Sequence, residues 1–120
     1  MQILGVGVDI VEKSRIKRSL KNKHFIKRIF TNTEILLAKN KQDKIAFYAN
    51  RFAAKEAFSK SIGTGFRNNL NFIDLSIKND KFGKPLFVIT DKLKKIIKKK
   101  FKIIKFDFFL SISDEKKYSI

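Results

Sequence analysis

The chain has no cysteine and a single histidine, His24, among its 120 residues. Without thiols there are no disulfides, no thiolate catalysis and no zinc–thiolate site, and one imidazole cannot build a histidine cluster. Any metal the protein uses must therefore be held by oxygen. Acidic residues are also scarce, 11 Asp and Glu against 28 Lys and Arg, for a formal net charge of +17. No uncharged apolar run is long enough to cross a bilayer. The N-terminus lacks the basic, apolar and small-residue succession of a secretory signal, so the expected setting is the cytoplasm, with no membrane partner. No internal repeat or long linker interrupts the sequence, which has the length of one domain, residues 1–120, with one modest core.

What the chain does have is positive charge and phenylalanine, thirteen of the latter. A charge of +17 predicts attraction to a polyanion, whether nucleic acid, a membrane surface or an acidic protein, and does not choose among them. Lysine outnumbers arginine 23 to 5 and comes with many Ile, Asn and Phe. An AT-rich coding sequence would produce the same bias, so part of the charge carries no function.

Hydrophobic periodicity gives the coarse architecture. Residues 2–9 alternate as a strand, with Leu4, Val6 and Val8 on one face and Gly5, Gly7 and Asp9 on the other. Glycines inside a strand mark a bulge or clear space for another backbone or a ligand. Val11 to Leu20 reads as a short basic helix. Thr31 and Glu34 form a capping box ahead of Ile35, which accounts for both residues structurally. A long helix is expected from Asp43 to Ser61. Phe72 to Lys78 and Leu86 to Thr90 read as a hairpin around Gly83 and Pro85, with Ile73, Leu75 and Ile77 on one face. Asp91 is expected to cap a further helix with a core stripe of Leu93, Ile96, Ile97, Phe101 and Ile104, and Phe106 to Ser113 to form the last strand. These elements make an α+β fold, an antiparallel sheet packed against a long helix.

The most informative segment is Arg51-Phe52-Ala53-Ala54-Lys55-Glu56-Ala57-Phe58-Ser59-Lys60-Ser61-Ile62-Gly63-Thr64-Gly65. Glu56 and Lys60 share one helix face, and Gly63 and Gly65 permit positive φ and close approach to a ligand. By spacing alone this is also an ordinary surface pair with a glycine cap. Together with Gly5-Val6-Gly7-Val8-Asp9-Ile10-Val11-Glu12 and Phe30-Thr31-Asn32-Thr33-Glu34, however, it resembles in order and spacing the signature blocks of bacterial holo-acyl-carrier-protein synthases, which are 4′-phosphopantetheinyl transferases. Phe72-Ile73-Asp74-Leu75-Ser76-Ile77, Gly83-Lys84-Pro85 and Leu110-Ser111-Ile112-Ser113 extend the resemblance over nearly the whole chain.

The resemblance implies transfer of the 4′-phosphopantetheine arm of coenzyme A to a serine of apo-acyl carrier protein, releasing adenosine 3′,5′-bisphosphate, for fatty acid biosynthesis. It makes Asp9 and Glu56 ligands of Mg²⁺, a cation that takes hard oxygens and commonly one or two carboxylates. Glu56 and Lys60 become catalytic, Lys60 stabilising charge on the diphosphate. The proton acceptor stays open between Glu56 and a metal-bound water. Coenzyme A contacts are assigned to Arg51, Lys55, Lys60, Gly63, Thr64 and Gly65, with plain surface charge as the alternative for Arg51 and Lys55. Arg15 matches the family's basic position facing the acidic carrier protein, and helix periodicity adds Arg18 and Lys21. The family is usually a homotrimer.

Three departures stand out. Phe109 and Asp114 occupy positions where relatives often carry histidines, Asp74-Leu75-Ser76-Ile77 has one carboxylate fewer, and relatives continue into one more strand beyond Ile120. Two other classes compete: a small basic nucleic-acid-binding protein, motivated by the charge and the phenylalanines, and an inactive relative that only binds carrier protein. The first is weakened by phenylalanines at core-like periodic positions and by the lack of an RNA-recognition or zinc-finger pattern.

Overall fold

In the computed structural model, which describes residues 1–67 and 69–120, a two-residue strand β1 (Val11–Glu12) leads into three short helices, α1 (Lys13–Ser19), α2 (Lys23–Ile29) and α3 (Asn32–Ala38). The long helix α4 (Lys44–Ile62) follows, then a 3-10 turn at Phe72–Asp74, a hairpin of β2 (Leu75–Asn79) and β3 (Pro85–Ile89), helix α5 (Asp91–Phe101) and a final strand β4 (Tyr118–Ser119). Local chemistry fixes the helix ends. The Thr31 hydroxyl accepts from the Glu34 N–H while the Glu34 carboxylate accepts from the Thr31 N–H, completing the expected capping box. Asp43 caps α4, and Gly63 ends it at φ 76°, a conformation glycine adopts without a Cβ penalty.

The expected α+β architecture is present, with its sheet in two small antiparallel pieces. In one, Val11 lies opposite Ser119; in the other, Leu75 lies opposite Ile89 and Asn79 opposite Pro85. Both pieces pack on α4, which divides the core. Its first half meets Ile16, Ile29, Phe30 and Ala38 through Phe47, Tyr48, Ala49 and Ala53, and its second half meets Leu70, Leu75, Leu93 and Ile97 through Phe58 and Ile62. The phenylalanines form much of this filling: Phe52 stacks on Phe72, Phe72 on Phe66, and Phe58 packs against Phe87 and Phe108. Phe58 is buried and the other five are partly buried, which withdraws them from use as exposed base-stacking platforms, while Phe82 and Phe109 stay exposed. Among the described residues no helix is long and apolar enough to cross a membrane.

Four expectations need correction. Residues 2–9 and 106–113 are not ladder strands. Both run without a hydrogen-bonded neighbour along most of their length, although Ser113 and Ile120 exchange backbone bonds and Phe106, Phe108, Leu110 and Ile112 keep their half-buried side. A strand needs a partner as well as a pattern, and here each segment's open edge meets none. Ile73 lies in the 3-10 turn and is half exposed, while Phe72 turns inward. The cap of α5 is Thr90, whose hydroxyl accepts from the Leu93 N–H, with Asp91 the first helical residue. Finally, α5 stops at Lys102 in the left-handed region, so Ile104 leaves the core stripe and is exposed.

The glycines of the N-terminal segment do clear space for another backbone, and that backbone is α4. A Cβ on Gly5 would collide with the Ser61 carbonyl oxygen, and one on Gly7 with that of Ala57. The segment therefore lies flat on the second half of α4 and turns Ile3, Val6 and Val8 outward. Gly7→Ala should lower stability by about 1–3 kcal/mol, the range for forcing extra atoms into a closed contact. Urea unfolding measures it, and an unchanged midpoint would mean the segment does not press on the helix.

Candidate active site

Helix periodicity turns consecutive residues of α4 by about 100°, so its face carrying Glu56 and Lys60 looks away from the one carrying Lys55. The glycine contact lays the N-terminal segment along the first of these faces and delivers Asp9 to it. There the Lys60 ammonium donates to Asp9 Oδ1 at 2.9 Å and to the Val8 carbonyl at 3.0 Å, joining residues 51 positions apart. The Asp9 side chain is only 15% exposed, whereas Lys60 is 54% exposed. Burial raises the proton affinity of Glu56 above the usual carboxylate range, the neighbouring Asp9 charge raises it further, and Lys60 opposes both.

The structure thus brings together Asp9, Glu56 and Lys60. The turn of Gly63, Thr64 and Gly65 follows directly on the end of α4: the Gly63 N–H donates to the Ser59 and Lys60 carbonyls, and the Thr64 hydroxyl to the Gly65 carbonyl. Gly65 is also at positive φ, 61°.

Lys55 is a correction. It is fully buried, and its ammonium donates to Glu34 Oε1 at 2.7 Å, to the Ile29 carbonyl at 2.6 Å and to the Phe72 carbonyl at 3.2 Å. All three N–H groups are used, so neither a coenzyme A contact nor a surface charge describes it. Arg51 is no surface charge either. Its guanidinium lies 3.7 Å from the Phe47 ring centroid and donates to Asn79 Oδ1 at 2.9 Å, so its partners lie in the core and on the hairpin rather than around Asp9. Arg15, Arg18 and Lys21 are exposed on α1 and the turn after it. Asp114 accepts from the Asn50 side chain at 2.7 Å, Phe109 is exposed, and Asp74 accepts from the Asn71 N–H and from Lys92.

Among the described residues no three or more His, Cys, Asp or Glu side chains cluster as a ready metal cage. Two carboxylates with space for other oxygens nevertheless suit a hard divalent cation that keeps waters and substrate oxygens in its shell. The raised proton affinity of Glu56 beside Asp9 marks a place where extra positive charge would be stabilising. Sequence reasoning missed the Lys60–Asp9 pair, the Val8 carbonyl as an acceptor, and the Glu34–Lys55 pair. The Thr31–Glu34 box was a signal for Glu34, but nothing in spacing couples it to Lys55.

The profile of the 4′-phosphopantetheinyl transferase superfamily matches residues 5–114. The holo-[acyl-carrier-protein] synthase of Pelagibacter ubique is 69% identical over 120 residues, covering 100% of this chain and 94% of that protein. The crystal structure of holo-[acyl-carrier-protein] synthase from Neisseria meningitidis superposes with a TM-score of 0.88 at 38% identity, over 98% of this chain and 94% of that one. A holo-(acyl-carrier-protein) synthase from Bacillus anthracis, solved in complex with CoA (3′,5′-ADP), superposes with a TM-score of 0.81 at 35% identity, over 99% and 92%.

The Glu56 environment has a measurable consequence. A carboxyl whose folded-state proton affinity is raised loses stability for the fold as pH climbs from below its ordinary value through its raised one. In EDTA, Glu56→Gln should therefore melt above the parent at neutral pH, and the gain should vanish once pH falls below the carboxylate range. Calorimetry across pH tests this; a Gln variant less stable than the parent at neutral pH would contradict it.

Proposed function

The chain belongs to the 4′-phosphopantetheinyl transferase superfamily, and we propose that Asp9, Glu56 and Lys60 are the centre at which it performs holo-acyl-carrier-protein synthesis. The enzyme transfers the 4′-phosphopantetheine group of coenzyme A to a serine of apo-acyl carrier protein. The serine oxygen forms a bond to the phosphorus carrying the pantetheine arm, the bond from that phosphorus to the bridging oxygen breaks, and adenosine 3′,5′-bisphosphate leaves. The observation carrying the site assignment is that Asp9, distant in sequence, is held against the α4 face bearing Glu56 and Lys60.

Asp9 and Glu56 would hold Mg²⁺, which when bound supplies neutralisation of the diphosphate charge. Lys60, half exposed on its flexible stem, donates to the diphosphate oxygens and stabilises the charge gathering there as the bond breaks. The serine proton would pass to Glu56 or to a water held at the cation, both of which lie on this face. The turn of Gly63, Thr64 and Gly65 lets the nucleotide end approach the backbone closely. Arg15, Arg18 and Lys21 give the acidic carrier protein an exposed cationic landing surface, which speeds encounter more than it deepens affinity. The proposed setting is the cytoplasm, a placement that rests on these substrates.

The extended segments suggest an assembly. Ile3, Val6, Val8 and Phe109 are exposed beside a groove of about 980 Å³ between residues 1–9 and 105–112, along unpaired backbone edges. Apolar surface of this extent on open strand edges is a docking surface, and other copies of the chain, three in the assembly, would cover it.

Intact-mass analysis of apo-acyl carrier protein incubated with the enzyme, coenzyme A and Mg²⁺ should show the gain of one phosphopantetheine, abolished by EDTA. Asp9→Asn and Glu56→Gln should abolish the gain while leaving circular dichroism unchanged, and Lys60→Met should slow it by about a hundredfold or more. Full activity in both carboxylate variants would remove the site assignment. Binding of carrier protein without any mass gain would favour an inactive relative, and steeply salt-dependent binding to nucleic acid, indifferent to Asp9, a nucleic-acid protein. Sedimentation should give three times the 14.0 kDa chain mass, and Val6→Lys should shift it towards the monomer. A monomeric parent at micromolar concentration would discard the assembly.

A further inference from the structure

Lys60 has two tasks that compete for its ammonium. Two of its three N–H groups are committed to the N-terminal segment, at 2.9 Å to Asp9 Oδ1 and 3.0 Å to the Val8 carbonyl. The third N–H is free among the described residues, but a divalent cation seated on Asp9 would repel the ammonium there, and an ammonium that turned away without one would leave a carboxylate only 15% exposed beside Glu56. We propose that Lys60 is an exchange cation: it neutralises Asp9 in the free protein and is released to the diphosphate when a divalent cation takes its place on Asp9 and Glu56. This rests on the reading of those two carboxylates as the cation site.

Three observations favour exchange over a permanent tie. Lys60 is 54% exposed, so its ammonium keeps access to water while it leaves, and an ion pair of that exposure is weak enough to break readily. Its stem is a flexible chain of methylenes that can swing while the helix stays fixed. Asp9 is much the less exposed partner, so the need for a neighbouring cation lies with the carboxylate rather than with the lysine. Replacement of one ammonium by a doubly charged ion held by hard oxygens meets that need and frees the lysine in the same event. Since binding couplings are reciprocal, the divalent cation and the diphosphate substrate must then bind with positive cooperativity that runs through Lys60.

The sign of the effect separates this role from a structural one. The probe is Mn²⁺, a divalent cation that also prefers carboxylate and water oxygens, titrated alone into the full-length protein and followed by the electron paramagnetic resonance of the free ion. Lys60→Met should bind Mn²⁺ about two- to fivefold more tightly than the parent, because no ammonium has to be displaced. Saturating coenzyme A, after correction for its own Mn²⁺ binding, should tighten Mn²⁺ in the parent and do so less in the variant. Circular dichroism confirms that each variant is folded. Loss of Mn²⁺ binding in Asp9→Asn establishes the cation site independently. Should Asp9→Asn bind Mn²⁺ as the parent does, the cation-site reading fails and the exchange with it. Should Asp9→Asn lose Mn²⁺ while Lys60→Met binds it equally or more weakly, the site stands and the exchange is wrong.

Discussion

One buried ion pair governs where this chain puts its chemistry. Lys55 and Glu34 are both inaccessible to water, 2.7 Å apart, and together they tie five segments. Lys55 also holds the ends of α2 and the 3-10 turn through the Ile29 and Phe72 carbonyls, while Glu34 takes the N–H groups of Thr31 and Ile77. Burial lowers the proton affinity of Lys55, and only the Glu34 carboxylate beside it opposes that effect. Such a pair offers little net stability against a well-packed apolar substitute, but losing one partner strands a charge in the core at a cost of about 3–5 kcal/mol. Its value is directional. With Lys55 locked towards α3, the rotation of α4 is set, and Glu56, the next residue, must face elsewhere.

That other face is an exception in a strongly cationic protein. Asp9 and Glu56 place two of the chain's 11 acidic residues close together, and the proton affinity of Glu56 is raised first by its own burial and then by the Asp9 charge. Two neighbouring carboxylates favour added positive charge between them, while the cationic surface around the chain attracts negative charge. A phosphorylated substrate and an acidic carrier protein fit the second property, and a divalent cation fits the first. Net charge alone could not separate these roles, because it sums over a surface that includes a solvated lysine face on α5 as well as α1.

What could be read from the sequence follows how local each signal is. The Thr31 box, the Asp43 and Gly63 ends of α4 and the β2–β3 hairpin depend on residues a few positions apart, and each is present, although the first hairpin strand begins at Leu75 rather than Phe72 and the second spans Pro85–Ile89. Asp9 and Glu56 were paired only through family resemblance, since no periodicity links a residue at the start of the chain to one on α4. Lys55 was misread for a related reason. A lysine in a charged helical block looks like surface until the acceptors that bury it are known, and these come from residues 29, 34 and 72. The segments at 2–9 and 106–113 show the converse limit. Their alternation correctly predicted two faces, but alternation cannot say whether a neighbouring strand exists.

The N-terminal segment joins these themes, because its two faces have different duties. Gly5 and Gly7 let one face press on the carbonyls of Ser61 and Ala57, and the same face then presents Asp9 to Lys60. The opposite face carries Val6 and Val8 into solvent. Among the described residues the segment has no ladder bonds in the single chain, so its hold on α4 consists of the glycine contact, the half-exposed Lys60–Asp9 ion pair and the Lys60 bond to the Val8 carbonyl. That ion pair is the bond that would open in the proposed exchange of Lys60 for a divalent cation. A segment held so lightly would place Asp9 poorly at the moment its lysine leaves, unless something else restrains it. Covering the outer face with other copies of the chain, as proposed, would supply that restraint by burying apolar side chains that alternate with the glycines. On the proposed assignments, assembly and catalysis would draw on opposite faces of the same few residues, which would give a physical reason for the site to lie beside an apolar groove.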